Sequence, residues 1–308
     1  MNKKEYHFNR YIKLIFTLMD GEETYEFELD TSFIDIETKV SLSTNIEKDD
    51  HAIYSNKASI TIYNLPLKIK NELLENTPVT ITAGYLDLPE TQGVIYNGII
   101  ENVSESSDGV TSRTQIQCSE ANDEFQKLKY IISIKKTQVK ASEVLKRISE
   151  HSKLEFEIQK LGIDLIYTRA RTYNGTLKQI IQSIARDTNS HAFISRRKIF
   201  FLDNKEPVLD ELICDIEKVK NITETDTGYS IDMIFDHRME PNYNLSIKYE
   251  GNRFKKSLEG IYKIIRVEHD LSALNNSFTS KIELEDSLKS IQTKEKNENY
   301  PKEIKIEI

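Results

Sequence analysis

Two stretches of sequence decide the fold, V-I-Y-N-G-I-I-E-N-V at Val94–Val103 and G-I-Y-K-I-I-R-V-E-H at Gly260–His269. Both are rich in β-branched and aromatic residues, a composition typical of strands. They align without a gap at one constant offset, which pairs Ile95 with Ile261, Tyr96 with Tyr262 and Ile99 with Ile265. We therefore predict that Tyr96 and Tyr262 occupy equivalent core positions.

The same offset extends to the flanking strands. It pairs Val79 with Leu245, Ile81 with Ile247, Ile116 with Ile282 and Cys118 with Leu284. Upstream, Ser59 and Ile60 match Ser230 and Ile231 at a slightly larger offset. Strand-rich sequences also match by chance, but one offset across three strands and two connections favours an internal duplication.

Periodicity divides the remaining sequence into three folded regions. A length of 308 residues predicts two or three domains. Alternating apolar residues predict strands in the first region, residues 1–120, and in the last, residues 206–288. The middle region, residues 121–205, carries one amphipathic helix beginning at Ser142 and another after Gly175 and Thr176, with strand-like segments between and after them. The predicted fold is mainly β with a small α+β insert, in which two β domains related by the degenerate repeat flank the α+β domain.

Charge is distributed unevenly along these regions. The whole chain has 42 Lys and Arg against 50 Asp and Glu, a net charge of -8. Residues 121–205 contain 17 Lys and Arg against 9 Asp and Glu, so the middle is basic and the β regions are acidic. We interpret five residues as a candidate surface for an acidic partner: Arg169, Arg171, Arg196, Arg197 and Lys198. A solvated basic face without a partner explains the same count equally well.

Motifs for catalysis are absent from the sequence. The six histidines lack metal-site spacing, and no nucleophile elbow, phosphate loop or dinucleotide fingerprint occurs. Cys118 and Cys214 stand in alternating patterns without a C-x-x-C pair, so we expect reduced core thiols. We therefore predict a non-enzymatic protein with no catalytic residue, no metal site and no cofactor. Met1–Arg10 lacks a signal-peptide pattern and no apolar stretch is long enough to span a membrane, so we expect synthesis in the cytoplasm and no membrane insertion.

Several segments resemble the baseplate hub proteins of phage tails. Those resembling the first β domain of that family are S-I-T-I-Y-N-L-P from Ser59, V-T-I-T-A-G-Y from Val79 and Y-N-G-I-I from Tyr96. The segments A-S-E-V-L-K-R-I-S-E-H-S from Ala141 and N-G-T-L-K-Q-I-I-Q-S-I-A-R-D-T from Asn174 are similar to its linking domain. Those resembling the last hairpin of its second β domain start at Gly260 and at Ser277.

The resemblance implies a homotrimeric structural hub at the tip of a phage tail or of a phage-tail-like injection particle, made in the bacterial cytoplasm and located in the virion. The implied partners are the tail tube or a tube-adaptor protein, the central spike, the tape-measure protein and other baseplate proteins, with DNA only as passing cargo. The resemblance also implies that the two β domains are tail-tube-like β-barrel domains. Three chains with two such domains each would form a pseudo-six-fold ring. The charged segment 289–308 is expected to be flexible or to order on a partner.

Two other functions remain compatible with the sequence. The first is a tail-associated cell-wall hydrolase, which needs paired carboxylates or a nucleophile in a cleft. The second is a receptor-binding or carbohydrate-binding tail module, for which aromatic platforms are expected although the chain contains no Trp. Clearing of bacterial envelope in a zymogram would indicate the first, and binding to a glycan array the second.

Overall fold

The structure is a computed structural model that describes residues 9–20, 23–44, 55–121, 123–135, 138–152, 154–205, 208–249, 258–274 and 277–286. These residues form twenty strands and four α-helices. Strands dominate, as the sequence predicts, and both predicted amphipathic helices are present. The segment 289–308, expected to be flexible or partner-ordered, lies outside the described residues.

The first β region contains seven strands and one short helix. Its elements are β1 (Arg10–Asp20), β2 (Glu23–Asp30), β3 (Ile36–Ser43), β4 (Lys57–Tyr63), α1 (Leu67–Glu72), β5 (Pro78–Tyr85), β6 (Leu88–Ser107) and β7 (Ser112–Ser119). In β4 alternate side chains are buried, as expected for a strand with one face on a core. Strand β3 is not among the strands predicted above, although its I-E-T-K-V-S-L-S alternates in the same way.

The middle region combines short strands with three helices. Its elements are α2 (Asp123–Gln126), β8 (Lys129–Ile134), β9 (Val139–Lys140), α3 (Ala141–His151), β10 (Glu155–Ile158), β11 (Ile166–Tyr167), β12 (Arg171–Thr176), α4 (Leu177–Asp187), β13 (Ser190–Ser195) and β14 (Lys198–Asp203). Thr176 caps α4: its hydroxyl accepts a hydrogen bond from the Gln179 backbone N–H, and the Gln179 side chain accepts one from the Thr176 N–H. This capping box explains why the helix begins after the Gly-Thr pair.

The last β region completes the chain with six strands. These are β15 (Glu211–Ile213), β16 (Val219–Glu224), β17 (Gly228–Ile234), β18 (Asn244–Tyr249), β19 (Leu258–Ser272) and β20 (Phe278–Glu285). A 3-10 turn at Ile216–Lys218 precedes β16.

One sheet joins the two β regions. Its strand order is β16-β17-β20-β19-β3-β4-β7-β6-β5-β1-β2, and β18 pairs with both β19 and β15. The connection is made by β3, which pairs with β4 on one edge and with β19 on the other. The predicted closure into two β-barrels is not found among the described strands, because β2 and β16 end the path and each pairs there with one strand only. As far as the described strands go, the sheet is therefore open.

Within this sheet, two sets of four strands share the same order and register. The first set pairs as β4-β7-β6-β5 and the second as β17-β20-β19-β18. Ile60 faces Ile116 in the first, and Ile231 faces Ile282 in the second. Each set also carries a β-bulge in its long strand, between Ile100 and Asn102 in β6 and between Ile264 and Arg266 in β19.

The registers correct the alignment of the long strands. Val79 faces Gly98 and Leu245 faces Tyr262, so Gly98 and Tyr262 hold corresponding positions. Equivalent residues of β6 and β19 are therefore separated by a residue-number offset that is two smaller than the offset between the neighbouring strands, β5 with β18 and β7 with β20. The prediction that Tyr96 and Tyr262 are equivalent is wrong, because the repeated Ile-Tyr pair lies two positions out of register.

Each long strand nevertheless places a tyrosine over a glycine two positions away. A Cβ on Gly98 would lie 2.6 Å from the Tyr96 hydroxyl oxygen, and a Cβ on Gly260 would lie 2.9 Å from that of Tyr262. The glycine follows the tyrosine in β6 and precedes it in β19. In both strands the missing side chain makes room for the ring.

Two hydrophobic cores hold the described residues together. The larger draws buried side chains from both β regions, from Ile12 through Leu284, and includes all the inward positions of β4 and β17. The smaller lies in the middle region, where α3 and α4 contribute their apolar faces. The middle region therefore has a core of its own, while the two β regions share one.

Candidate functional site

Three of the five predicted basic residues lie in one turn of the middle region. Arg196 and Arg197 are the two central residues between β13 and β14, and both adopt positive φ, 51° and 64°. Such a pair forms the tight two-residue hairpin turn whose twist matches that of the strands. Lys198 begins β14, and its Nζ lies 2.8 Å from Glu155 Oε2.

Arg171 lies elsewhere, on β12, and is engaged within the chain. Its Nη1 is 2.5 Å from Asp187 Oδ2, and its guanidinium lies over the Tyr173 ring, 4.7 Å from the centroid. The Tyr173 hydroxyl donates to the Tyr167 hydroxyl at 3.0 Å, beside the same carboxylate. Arg171 therefore fastens the end of α4 to β12. Arg169, which comes shortly before it in the chain, is exposed.

Arg196 connects all three regions of the chain. Its backbone N–H donates to Glu120 Oε1 at 2.9 Å, just after β7 of the first β region. Its guanidinium pairs with Glu240, which precedes β18 in the last β region. We call Asn56, Glu120, Arg196 and Glu240 the junction. Counting charges along the sequence could not find it, because Glu120 and Glu240 carry no local signal.

Glu120 is the buried centre of the junction. Asn56 donates to its Oε2 at 2.8 Å and also to the backbone carbonyl of Ile194 at 3.2 Å. Burial raises the pKa of the Glu120 carboxyl to about 8, against the opposing effect of the hydrogen bonds from Arg196 and Asn56. The carboxyl is thus largely protonated at neutral pH, because charging it would require an unsolvated anion.

Asp236 forms a second buried carboxylate site in the last β region. Arg238 donates to it through Nε at 2.9 Å and Nη2 at 2.7 Å, and Lys218 Nζ lies 3.0 Å away. Burial acts to raise the pKa of this carboxyl, but the hydrogen bonds of Arg238 and the charge of Lys218 outweigh it and hold the pKa below its ordinary value. Asp236 is therefore ionised where Glu120 is protonated.

The loop carrying Asp236 also contacts the first β region. The His237 ring occupies the space that a Cβ on Gly93 would fill, so only glycine admits this contact. Nearby, His269 is fully buried, and its Nδ1 lies 2.9 Å from Ser280 Oγ. Burial lowers the pKa of His269 to about 4, so the ring is neutral at pH 7.

The chemistry of these residues is that of structural contacts. Burial raises the pKa of the Cys118 thiol to about 12 and that of Cys214 to about 11, and both thiols are free and buried, as predicted. Thiols held protonated in this way are poor nucleophiles. Among the described residues no cluster of three or more His, Cys, Asp or Glu could hold a metal ion. No helix in the described ranges is long and apolar enough to cross a membrane.

Comparison with models of known protein families shows to which family the chain belongs. The model for the family described as baseplate hub gp41 matches residues 24–284, which include the middle region, the junction and both β regions apart from β1. The chain belongs to the baseplate hub gp41 family. Members of this hub family are structural proteins of the phage tail baseplate. No curated protein matches the chain by sequence.

Solved structures share the fold of this hub protein across almost its whole length. The tail protein from Neisseria meningitidis MC58 superposes with a TM-score of 0.56 at 8% identity, covering 91% of this chain and 97% of its own. The 43 kDa tail protein of prophage MuSo2 from Shewanella oneidensis gives 0.58 at 6% identity, covering 88% and 96%. The E. coli c3393 protein, a type VI secretion component, gives 0.52 at 9% identity, covering 83% and 75%.

Proposed function

We propose that three copies of this chain form a pseudo-six-fold ring in the baseplate, joining the six-fold tail tube to the three-fold central spike. The observation that carries the proposal is the shared order, register and bulge of the two four-strand sets, β4–β7 and β17–β20. We infer that these sets are degenerate copies of one unit. Two copies in each of three chains present six similar surfaces around one axis.

The acidic β regions and the basic middle region have separate roles in this proposal. The acidic β regions line the channel, where carboxylates repel the phosphates of passing DNA. The basic middle region faces outward, where Arg169 and Arg197 contact an acidic face of a neighbouring baseplate, tube-adaptor or tape-measure protein. Arg171, Arg196 and Lys198 also belong to the predicted surface, but their ion pairs within the chain favour an architectural role. The assembled protein is then a component of the virion.

The trimer is tested by native mass spectrometry of the full chain, alone and co-expressed with the tube and spike proteins of the same particle. We expect a species of three times the 35.8 kDa chain mass, and a central channel when that species is imaged by electron microscopy. The co-expressed sample is needed because binding of a partner can drive assembly. A stable dimer or tetramer, or a trimer without a channel, would refute the ring.

The outward role of the basic region is tested separately with the double variant Arg169→Glu, Arg197→Glu. Reversing two charges at a rim should slow association with the acidic partner by about tenfold at low salt and much less at high salt. Lys220→Glu, an exposed reversal on β16, is the matched control. Equal association rates for both variants would remove Arg169 and Arg197 from the interface.

A further inference from the structure

The middle region contains an apolar groove that neither the junction nor the proposed ring uses. It has a volume of about 390 Å³ and lies between β8 and α3. Residues 130–134 line one side, and Val144, Arg147, Ile148 and His151 line the other. Ile131 stands at its border with 73% of its surface exposed.

The groove runs along the edge of β8. Side chains of a strand alternate between two faces, so five consecutive residues line a groove only when it follows the strand edge. One edge of β8 pairs with β12, from Lys129 opposite Thr176 to Ile134 opposite Arg171. No described strand pairs with the other edge. The groove therefore offers a strand edge beside an apolar helix face, the geometry that accepts an added strand.

We propose that the segment Glu303–Ile308 of the same chain docks in this groove as an added strand beside β8. The segment reads E-I-K-I-E-I, which alternates isoleucine with charged residues. This period of two sends Ile304, Ile306 and Ile308 to one face and the charged side chains to the other. Its apolar face matches the isoleucine and valine lining of the groove.

The length of the chain beyond the described residues is compatible with this occupant. Seventeen peptide bonds lead from Asp286, the last described residue, to Glu303. An extended chain of that length reaches about 56 Å, whereas a compact protein of this size is about 50 Å across. The stretch is therefore long enough to cover a distance comparable with the width of the protein itself.

Hydrogen exchange on the full chain tests the contact without disturbing either core. In the variant Ile304→Lys, Ile306→Lys, the amides of β8 should exchange about tenfold faster, because an added strand protects them from local opening. Ile291→Lys, in the same C-terminal stretch but outside the segment, should leave β8 unchanged. The amides of β2, at the open end of the large sheet, provide an internal reference. Equal β8 exchange in all three proteins would overturn the proposal.

A disulfide test identifies the source of the strand. We expect mild oxidation of Ile131→Cys, Lys305→Cys, both on the outer face of the proposed strand pair, to give an intrachain disulfide in monomeric protein, independent of protein concentration. The control pair Val110→Cys, Lys305→Cys places the first thiol in the β6–β7 turn, where Val110 is 94% exposed. Equal crosslinking of both pairs, or no crosslink at Ile131, would overturn the proposal. A predominantly interchain product would assign the groove to a second copy and overturn it as well.

Discussion

The two four-strand sets of the large sheet differ in most of their residues yet pair in the same way. Ile60 and Ile231 face Ile116 and Ile282 with none of the four exposed, and the bulges fall at the same place. The tyrosine and glycine of the long strands exchange places between the sets. The comparison indicates that register, inward alternation and bulge position specify this unit, while the identity of the filling side chain varies.

The largest expected effect comes from deleting the bulge residue of either set, Glu101 or Ile265. The inward positions of β6 are Tyr96, Gly98 and Ile100 before the bulge and Val103 after it, so the inward parity changes at the bulge. Deletion moves one half of the strand by one residue and turns its inward side chains outward. We expect either deletion to abolish cooperative unfolding, measured by circular dichroism in urea.

Deletion of Val110 in the exposed β6–β7 turn is the control for chain shortening, and it should be tolerated. If only one bulge deletion were destructive, the two sets would depend on different features and the comparison would fail.

The next largest effect is expected from truncating the two tyrosines of the long strands. Tyr96 is fully buried and its hydroxyl donates to the Asn56 carbonyl, whereas Tyr262 is 8% exposed and donates to the Glu259 carbonyl. Tyr96→Ala should lower the free energy of unfolding by about 4 kcal/mol and Tyr262→Ala by about 2 kcal/mol, because the cavity left at Tyr96 is less able to collapse. Urea unfolding of both, with the Phe variants as controls for the hydroxyl, gives the difference. Equal losses of unfolding free energy would show that the two tyrosines contribute equally to stability, although tyrosine and glycine exchange places between the two sets.

A smaller effect is expected at Asp236, the ionised carboxylate of the last β region. Asp236→Asn should reduce the unfolding free energy by about 2 kcal/mol at pH 7, because it removes the partner of Lys218 and Arg238. Its pKa is lowered on folding, so the contribution is present above the ordinary value of 3.8 and is lost as pH falls below it. Thermal unfolding from pH 3 to 7 should show wild type and variant converging in acid. A pH-independent gap would contradict the pairing.

The last comparison concerns a slope with the opposite pH dependence, which is expected at Glu120 of the junction. Its pKa is raised on folding to about 8, so the folded state binds an extra proton between about pH 4.5 and pH 8. This group therefore stabilises the protein fully below pH 4.5 and loses that contribution as pH rises to 8, by about 1 kcal/mol per pH unit. Glu120→Gln should remove the slope in urea unfolding measured across this range. A slope retained in that variant would assign it to another group.

The fold could be predicted from the sequence wherever the signal was local. The capping box at Thr176 and the spacing of apolar residues in α4 predict that helix, and the alternation of apolar and polar residues predicts β4. The connection through β3 could not be predicted, because it depends on pairing with β19, which lies near the opposite end of the chain. The same limit produced the register error, since a repeated Ile-Tyr pair is a stronger sequence signal than the bulge and pairings that decide register.

The candidate site was harder to predict than the fold. Counting basic residues identified Arg196 but gave no sign that its partners are Glu120 and Glu240, which the fold brings together from both β regions. It also grouped Arg171 with Arg196, although they lie in separate sheets of the middle region. Asp236 could not be predicted from the sequence, because nothing distinguishes one carboxylate of an acidic chain from the others until its burial is known.

The pairing of β3 with β19 also has a mechanical consequence. Seven residue pairs hold the two β regions edge to edge. Force directed along these strands is shared by all the hydrogen bonds at once, in shear, whereas force directed across them peels the bonds apart one after another. The chain should thus withstand axial sliding of one β region past the other far better than lateral unzipping, and pulling from two geometries in an optical trap would distinguish these strengths.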